Sequence, residues 1–291
     1  MDHSAIADPL FLQAVQAIDS GNIPELEDLI ANHQSLITDR LPTNSEGYFK
    51  DPYLLWFVAD NPIRTEKLPA NIVHVTDFLV HAVKSKAPNT SQQQIDYTLG
   101  LVATGRIPRE CGVQLVMMDL LIDAGAIPCS PIGALANGNV DAARHLILRG
   151  AELTLGAAVC LDMEADIDRL APVATTGEKL TALTAAAFYG KTAMVKHLLA
   201  MGIGPNGYPE ADSGFHSHGT PLHQAVASGS LDTVKLLVEA GARLDARDNI
   251  YQGTPVGWAD YLQRDEDQEA IKTNFARIEA YLRDAERSNQ D

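Results

Sequence analysis

The sequence predicts an all-α solenoid of about eight helix pairs joined by short hairpin loops. Apolar residues recur at helical spacing in many short segments; Leu231, Val234 and Leu237, for example, fall on one face of a helix. Glycines also recur at a constant spacing of 12 positions, in the pairs Gly138–Gly150, Gly190–Gly202 and Gly229–Gly241. Helix-sized segments that end in regularly spaced glycines are typical of stacked helix pairs.

The clearest helix pair begins at Thr220, whose hydroxyl can cap a helix. Pro221 suits the first helical position because the N–H that proline lacks is not needed there. The first helix is predicted to stop at Gly229, and the second to begin near Leu231 and to end at Gly241. Glycine is the residue that a left-handed position at a helix C-terminus favours.

The segment Thr220-Pro-Leu-His-Gln-Ala225 resembles the ankyrin repeat, whose signature is Thr-Pro-Leu-His-x-Ala at a period of about 33 residues. The resemblance implies an ankyrin-repeat fold, in which His223 ties the turn to the helix by hydrogen bonding. Two longer tracts are similar to a bacterial ankyrin-repeat group with long inter-helix insertions. The tracts are residues 97–104 with 112–114, and residues 215–218 with 251–258.

We expect a single ankyrin-repeat domain over residues 1–291. Its approximate repeats are 9–40, 51–87, 95–128, 129–152, 153–172, 180–207, 219–249 and 253–287. The first repeat has an apolar helical stripe from Phe11 to Ile18, a break at Gly21 and a second apolar helix. This opening repeat is unusually apolar for the end of a stack, which leaves self-association open.

The second and third repeats depart from the compact family pattern. Residues 60–69 contain Pro62 and Pro69 and are predicted to form a loop, because proline cannot continue a helix. Residues 104–112 are predicted to form an extended turn, and a further loop is predicted at residues 173–178.

The later repeats differ in length. The fifth is a condensed pair at residues 155–161 and 164–170. The sixth exceeds the repeat period by about 6 residues, and the surplus at 206–218 is expected to project from a hairpin. The chain closes with a helix at residues 270–286, whose polar outer face suits a terminal cap.

Composition narrows the function classes. The net charge of −16 repels phosphate backbones, so we expect no nucleic-acid partner. The N-terminus lacks the pattern of a secretory signal, and no apolar run is long enough for a membrane span, so a cytoplasmic location is expected. The three cysteines form no Cys-x-x-Cys pair and are predicted to be buried free thiols, at Cys111, Cys129 and Cys160.

A cluster of histidine and aromatic residues is the candidate binding site. Equivalent loops of adjacent repeats lie side by side in a solenoid, so the loops before Thr220 and Thr254 are expected to meet. The candidate residues are Phe215, His216, His218, Asp248, Tyr251 and Trp258. Aromatic groups left partly exposed there would suit a binding hot spot. In the opposing interpretation Trp258 packs inward under the C-terminal cap and the histidines are merely solvated.

Other candidate groups have structural interpretations. His74 and His81 share one helix face, with Asp77 placed to bond to His74, and a surface pair accounts for them. The aromatic residues Tyr53, Trp56 and Phe57 are predicted to fill the core of a helix pair. Neither a nucleotide-binding glycine loop nor a zinc-protease motif occurs, so no cofactor and no metal are expected.

These observations favour a soluble protein–protein interaction module, an adaptor or inhibitor that binds a partner on its concave or hairpin face. The identity of that partner is not encoded in any motif. The alternative is an enzyme, or a small-molecule or metal binder, that uses a His/aromatic cleft at residues 215–258. A monomer or weak self-association is expected.

Overall fold

The computed structural model describes residues 6–43, 46–210 and 213–288, and all regular secondary structure in this part of the chain is helical. The predicted all-α class is therefore confirmed. The chain divides into two compact units, Met1–Glu152 and Leu153–Asp291. Within the described residues, no helix is both long and apolar enough to cross a membrane.

The first unit contains nine α-helices and a 3-10 helix among its described residues. They are α1 Pro9–Ser20, α2 Ile23–Asn32, α3 Ser35–Thr38, the 3-10 helix Leu54–Ala59, α4 Ile72–Lys86, α5 Ser91–Thr104, α6 Arg106–Glu110, α7 Gln114–Asp123, α8 Pro131–Ala136 and α9 Val140–Leu148. Helix α5 lies at the centre of this unit and packs against the 3-10 helix, α7 and α8.

The second unit contains eight α-helices among its described residues. They are α10 Leu155–Cys160, α11 Glu164–Leu170, α12 Thr176–Phe188, α13 Thr192–Ala200, α14 Pro221–Ala227, α15 Leu231–Glu239, α16 Pro255–Asp265 and α17 Glu269–Ser288. One row of neighbours runs α10, α12, α14, α16, and a second runs α13, α15, α17. This stacking places successive hairpins on the same side of the unit.

The helix pair α14–α15 forms as predicted. The Thr220 hydroxyl accepts from the N–H of His223, and Pro221 occupies the first helical position. Gly229 and Gly241 follow the two helices with φ of 70° and 88°, which a residue with a Cβ adopts only with strain. Val234 and Leu237 on α15 are fully buried, so the apolar stripe faces the core.

Three local predictions were wrong in detail. Residues 104–112 are not simply an extended turn, because α6 forms there with Arg106 and Glu110 paired across one helical turn at 3.2 Å. The predicted loop at 173–178 contains the start of α12, since Thr175 and Glu178 form a reciprocal capping box. The aromatic run forms a short 3-10 helix.

The aromatic run nevertheless fills the core as predicted. Tyr53, Trp56 and Phe57 are buried, and Trp56 stacks on Tyr97 of α5 with ring centroids 4.1 Å apart. In the proline-containing insertion, the side chains of Asp60 and Arg64 are also buried, although the sequence predicted only a loop there. The side chains of Asp60 and Arg64 therefore belong to the core of the first unit.

The cysteines are free thiols, as predicted, but they are not all buried. Cys111 is exposed, Cys129 is half-buried and Cys160 is buried. Cys111 directly follows α6, the helix that the sequence did not predict, and caps its C-terminal end. Burial raises the pKa of Cys160 to about 12, so this thiol stays protonated.

Candidate functional site

A continuous row of rings runs along the hairpin side of the second unit. Phe188, at the end of α12, stacks on His216 with ring centroids 4.5 Å apart. His216 lies 6.0 Å from His218, and His218 stacks on Trp258 at 5.7 Å. Phe215 anchors the row from below, since it is 1% exposed and contacts the Phe188 and His216 rings edge-on. The loop before α14 therefore meets the first turn of α16.

The backbone geometry of this loop orients the histidines. His216 has φ of 37°, in the left-handed region that residues other than glycine rarely adopt. That conformation directs Phe215 into the core while His216 remains half-buried over Phe188. The His218 carbonyl accepts from the N–H of Asn249, 2.8 Å away, and this bond connects the loop to the next hairpin.

The buried carboxylate of Asp248 organises the neighbouring hairpin. Its Oδ1 accepts from the N–H groups of Ile250 and Tyr251 at 2.9 and 2.6 Å. Its Oδ2 accepts from the N–H of Gly253 at 2.8 Å and from the indole Nε1 of Trp258 at 3.0 Å. One side chain therefore closes the hairpin and fixes the ring that the hairpin faces.

The pKa of Asp248 follows from these contacts. Burial acts to raise the pKa of this carboxyl, but hydrogen bonds from Tyr251, Trp258, Ile250 and Gly253 outweigh burial and hold the pKa at about 2. The group is therefore ionised at neutral pH and has no proton to donate. Its chemistry is that of a fixed acceptor rather than of a general acid.

Two glycines lie close to Trp258. A Cβ on Gly253 would lie 3.0 Å from the Trp258 ring and 3.1 Å from the Asp248 carboxylate. A Cβ on Gly219 would lie 3.1 Å from the Gln224 amide and 3.5 Å from the far edge of the indole. The contacts of a Cβ at Gly253 are tighter than ordinary packing, so the small residue there lets the indole lie against the backbone. At Gly219 the tight contact is the one to the Gln224 amide, and the distance to the indole is that of ordinary packing.

His223 has the structural role that the family resemblance implies. Its Nδ1 accepts from the N–H of Thr220 at 3.2 Å, and its Nε2 donates to the carbonyl of Gly253 at 3.1 Å. Burial lowers the pKa of His223 below its ordinary 6.5, so the ring is neutral at physiological pH. With both nitrogens engaged, His223 links the start of α14 to the next hairpin.

An open cleft of about 480 Å³ lies beside Trp258. Tyr251 of the hairpin and Tyr261 of α16 form part of its wall, and these side chains are 78% and 62% exposed. Leu262 and the end of α14 at Ala227 complete the apolar lining. The cleft therefore combines one fixed indole with two accessible phenol rings.

The structure brings the six predicted residues into one region, but in different positions. Trp258, His216 and His218 are half-buried in the ring row, whereas Phe215 and Asp248 are buried beneath the surface. Tyr251 is exposed on the cleft rim. The interpretation in which Trp258 simply packs inward is only partly right, since its indole is pinned to Asp248 and still lines the cleft.

Sequence reasoning missed Phe188 and Tyr261. Tyr261 lies three positions after Trp258 on α16, and that helical spacing was a usable signal. Phe188 belongs to the preceding repeat, and its stacking on His216 is a tertiary contact without a local pattern. Asp77 contacts His81, at 3.3 Å, instead of His74, so the predicted pairing on α4 was wrong.

Metal-ligating side chains are not grouped in the described ranges: no three His, Cys, Asp or Glu residues there lie close enough together to hold a metal ion. The rings of His216 and His218 are tilted 72° to each other and contact aromatic neighbours. The two histidines are therefore placed to pack against the neighbouring aromatic rings.

Comparison with known proteins agrees with the repeat pattern. The model for ankyrin repeats (3 copies) matches residues 132–248. The crystal structure of the human ASB11 ankyrin repeat domain is similar to the chain at 16% sequence identity and a TM-score of 0.36, with 93% of this chain and 97% of that chain covered. No curated protein matches the chain. Residues 132–248 therefore match ankyrin repeats, in agreement with the repeat pattern predicted for this stretch.

Proposed function

We propose that this ankyrin-repeat protein is an adaptor or inhibitor that binds a partner protein on the hairpin side of its second unit. Ankyrin repeats are generally protein–protein interaction modules. The binding surface consists of Tyr251, Trp258 and Tyr261 around the cleft, with His216 and His218 beside them. Nucleic acid is excluded from the proposal because of the net charge of −16.

The observation that carries the proposal is the exposure of large apolar side chains on a rigid support. Tyr251 and Tyr261 are 78% and 62% exposed and line the cleft with the half-buried Trp258, and Ile250, next to Tyr251 in the hairpin, is 61% exposed. Tyrosine and tryptophan are the residues on which binding energy at protein interfaces concentrates. Several such residues grouped beside one cleft favour an interaction surface over scattered exposure.

The support of this surface reduces the cost of binding. Asp248 fixes the backbone of Tyr251 and the indole of Trp258 in the free protein. A surface that is already ordered loses less conformational entropy when a partner binds, so more of the contact energy appears as affinity. The buried hydrogen bonds of the hairpin therefore contribute to binding without touching the partner.

The enzyme alternative has weaker support. The two site residues with shifted pKa values are Asp248 and His223, and the polar atoms of both are occupied by internal hydrogen bonds. Their shifts follow from structural contacts rather than from a group poised to transfer a proton. A metal-binding or catalytic role for the cleft therefore rests on no specific contact in the site.

The remaining parts of the proposal rest on sequence. A place in the bacterial cytoplasm follows from the resemblance of residues 97–104 and 251–258 to the bacterial group and from the cysteine pattern. The proposed oligomeric state is a monomer or a weakly self-associating chain. These assignments are independent of which partner is bound.

Affinity purification from the native host tests the proposed function. The parent chain and the variant Tyr251→Ala, Tyr261→Ala are used as baits, and co-purifying proteins are quantified by mass spectrometry. The matched control is Val173→Ala, which truncates an 80% exposed side chain of the same unit outside the cleft lining. We expect a specific partner with parent and control, and at least about tenfold less with the double variant. Equal recovery with all three baits would place the interface elsewhere.

A further inference from the structure

The aromatic cleft continues into an acidic region along one face of α16. A second depression of about 400 Å³ shares Ala227 and Leu262 with the cleft and extends to Asp265 and Glu266. We call the two depressions together the α16 groove. The chemistry of the partner that fits this groove rests on the proposed function.

Helical geometry fixes the order of groups in the groove. Four lining residues of α16 recur at intervals that place them on one helical face. They are Trp258, Tyr261, Leu262 and Asp265. Aromatic contacts therefore come first along this face, and the negative charge comes two turns later.

Three features make the far end of the groove electronegative. Asp265 and Glu266 contribute two carboxylates, and one oxygen of Glu266 accepts from the N–H of Gln268 at 2.8 Å. Helix α16 ends at Asp265, so its last carbonyl groups and the negative end of its dipole lie at the same place. Among the described residues, neither lining contains a lysine or an arginine. The nearby Arg264 is directed to Asp260 on the same helix, at 2.7 Å.

We infer that the α16 groove binds a segment of the partner in which an apolar side chain and a lysine or arginine lie a few positions apart. The apolar side chain lies against Trp258 and Tyr261, and the cation lies between Asp265 and Glu266. The overall charge of −16 adds a long-range attraction for a basic segment. The complementary charge distinguishes this occupant from an acidic or purely apolar one.

The spacing of the two partner residues follows from the helix. Trp258 and Asp265 are seven positions apart, which corresponds to about 10 Å along the axis of α16. An extended peptide covers this distance in about three residues. The expected recognition pattern is therefore an aromatic or long aliphatic residue with Lys or Arg three positions before or after it.

Selection from a phage-displayed library of random dodecapeptides tests this inference with the full chain as bait. The enriched peptides are synthesised, and their Kd is measured for the parent and for Asp265→Asn, Glu266→Gln. We expect the apolar–basic pattern among the enriched peptides and a loss of about 3–10-fold on neutralising the two acids. Higher salt should weaken the parent complex more than that of the neutral variant. The control Asp232→Asn removes an exposed acid from α15 that does not line the groove and should leave Kd unchanged.

The outcomes separate the two proposals. If peptide binding depends on Tyr251 and Tyr261 but not on Asp265 and Glu266, the preference for a basic residue is overturned and the interaction site stands. Peptides that depend on neither would contradict both proposals. A selection that enriches acidic sequences, or none above an unrelated bait, would overturn the inference about the partner's chemistry.

Discussion

Two buried aspartates organise two loops of this protein, and they do so with opposite consequences. In the first unit, Asp60 accepts from the N–H groups of Arg64 and Glu66, both at 3.0 Å. In the second unit, Asp248 accepts from three backbone N–H groups and from the Trp258 indole. Both carboxylates replace a missing backbone partner for a turn, which is why each can be buried.

The two carboxylates differ in the side chain that each one contacts. Asp60 faces the guanidinium of Arg64 at 3.7 Å, and Arg64 also pairs with Asp19 and lies over the Phe57 ring, 5.2 Å from its centroid. These charges are satisfied inside the unit. Asp248 instead holds Trp258 beside an open cleft. A buried aspartate therefore holds the Asp60 loop against the core, whereas in the Asp248 hairpin it presents an aromatic surface.

Removing Arg64 should have the largest effect on stability. Arg64→Met keeps most of the side-chain volume but removes the guanidinium that pairs with Asp19 and Asp60, at a cost of about 3–5 kcal/mol. Chemical denaturation measures the loss. Arg106→Met is the control, because it breaks an exposed ion pair with Glu110 that contributes less than about 0.5 kcal/mol. Equal losses would mean that the charges at Asp60 are effectively solvated.

Removing the Asp248 carboxylate should cost somewhat less stability and also impair binding. Asp248→Ala strands several buried donors, so the free energy of unfolding should fall by about 2–4 kcal/mol. Hydrogen exchange at Tyr251 and Gly253 should accelerate, while exchange in the first unit stays unchanged. An unchanged hairpin in this variant would contradict the organising role of the carboxylate.

Low pH should destabilise the second unit through protonation of Asp248. The folded pKa of Asp248 is about 2, below the ordinary 3.8, so the unfolded chain binds the proton first as the pH falls. The stabilisation is complete above about pH 5 and is lost as the pH falls through about 2, a total of about 2 kcal/mol. Unfolding measured against pH should show a shallower acid decline in Asp248→Asn than in the parent.

The smallest effect is expected for Trp258→Phe. This change keeps an aromatic ring in the row but removes the indole donor to Asp248, at a cost of about 1 kcal/mol. Partner affinity should fall more than stability, because the ring also lines the cleft. A calorimetric Kd equal to that of the parent would show that the partner does not contact this ring.

The two loops also differ in how far the sequence predicted them. Thr220, Pro221 and the following glycines act through local backbone chemistry, so the start and end of α14 could be predicted from a few residues. The prolines of residues 60–69 correctly predicted irregular backbone. Nothing in that composition showed that Arg64 would be buried, because its partner Asp19 is distant in the chain.

The candidate site shows the same division. The position of Asp248 and Trp258 near the histidine loop followed from the equivalence of adjacent repeats. The hydrogen bond from the Trp258 indole to Asp248 and the stacking of His216 on Phe188 required the structure, since both are contacts between elements. Local sequence patterns and the equivalence of adjacent repeats therefore predict which loops meet. Tertiary packing decides which side chains remain at the surface.

Site-specific photo-crosslinking in the native host tests the central claim most directly. A benzophenone side chain replaces Tyr261 on the cleft rim or, as a control, Val173 on the same unit. We expect a cross-link to one partner protein from position 261 that disappears when Tyr251→Ala is added, and no such product from position 173. Cross-linking of the same partner with equal yield from both positions would contradict a binding surface centred on Trp258.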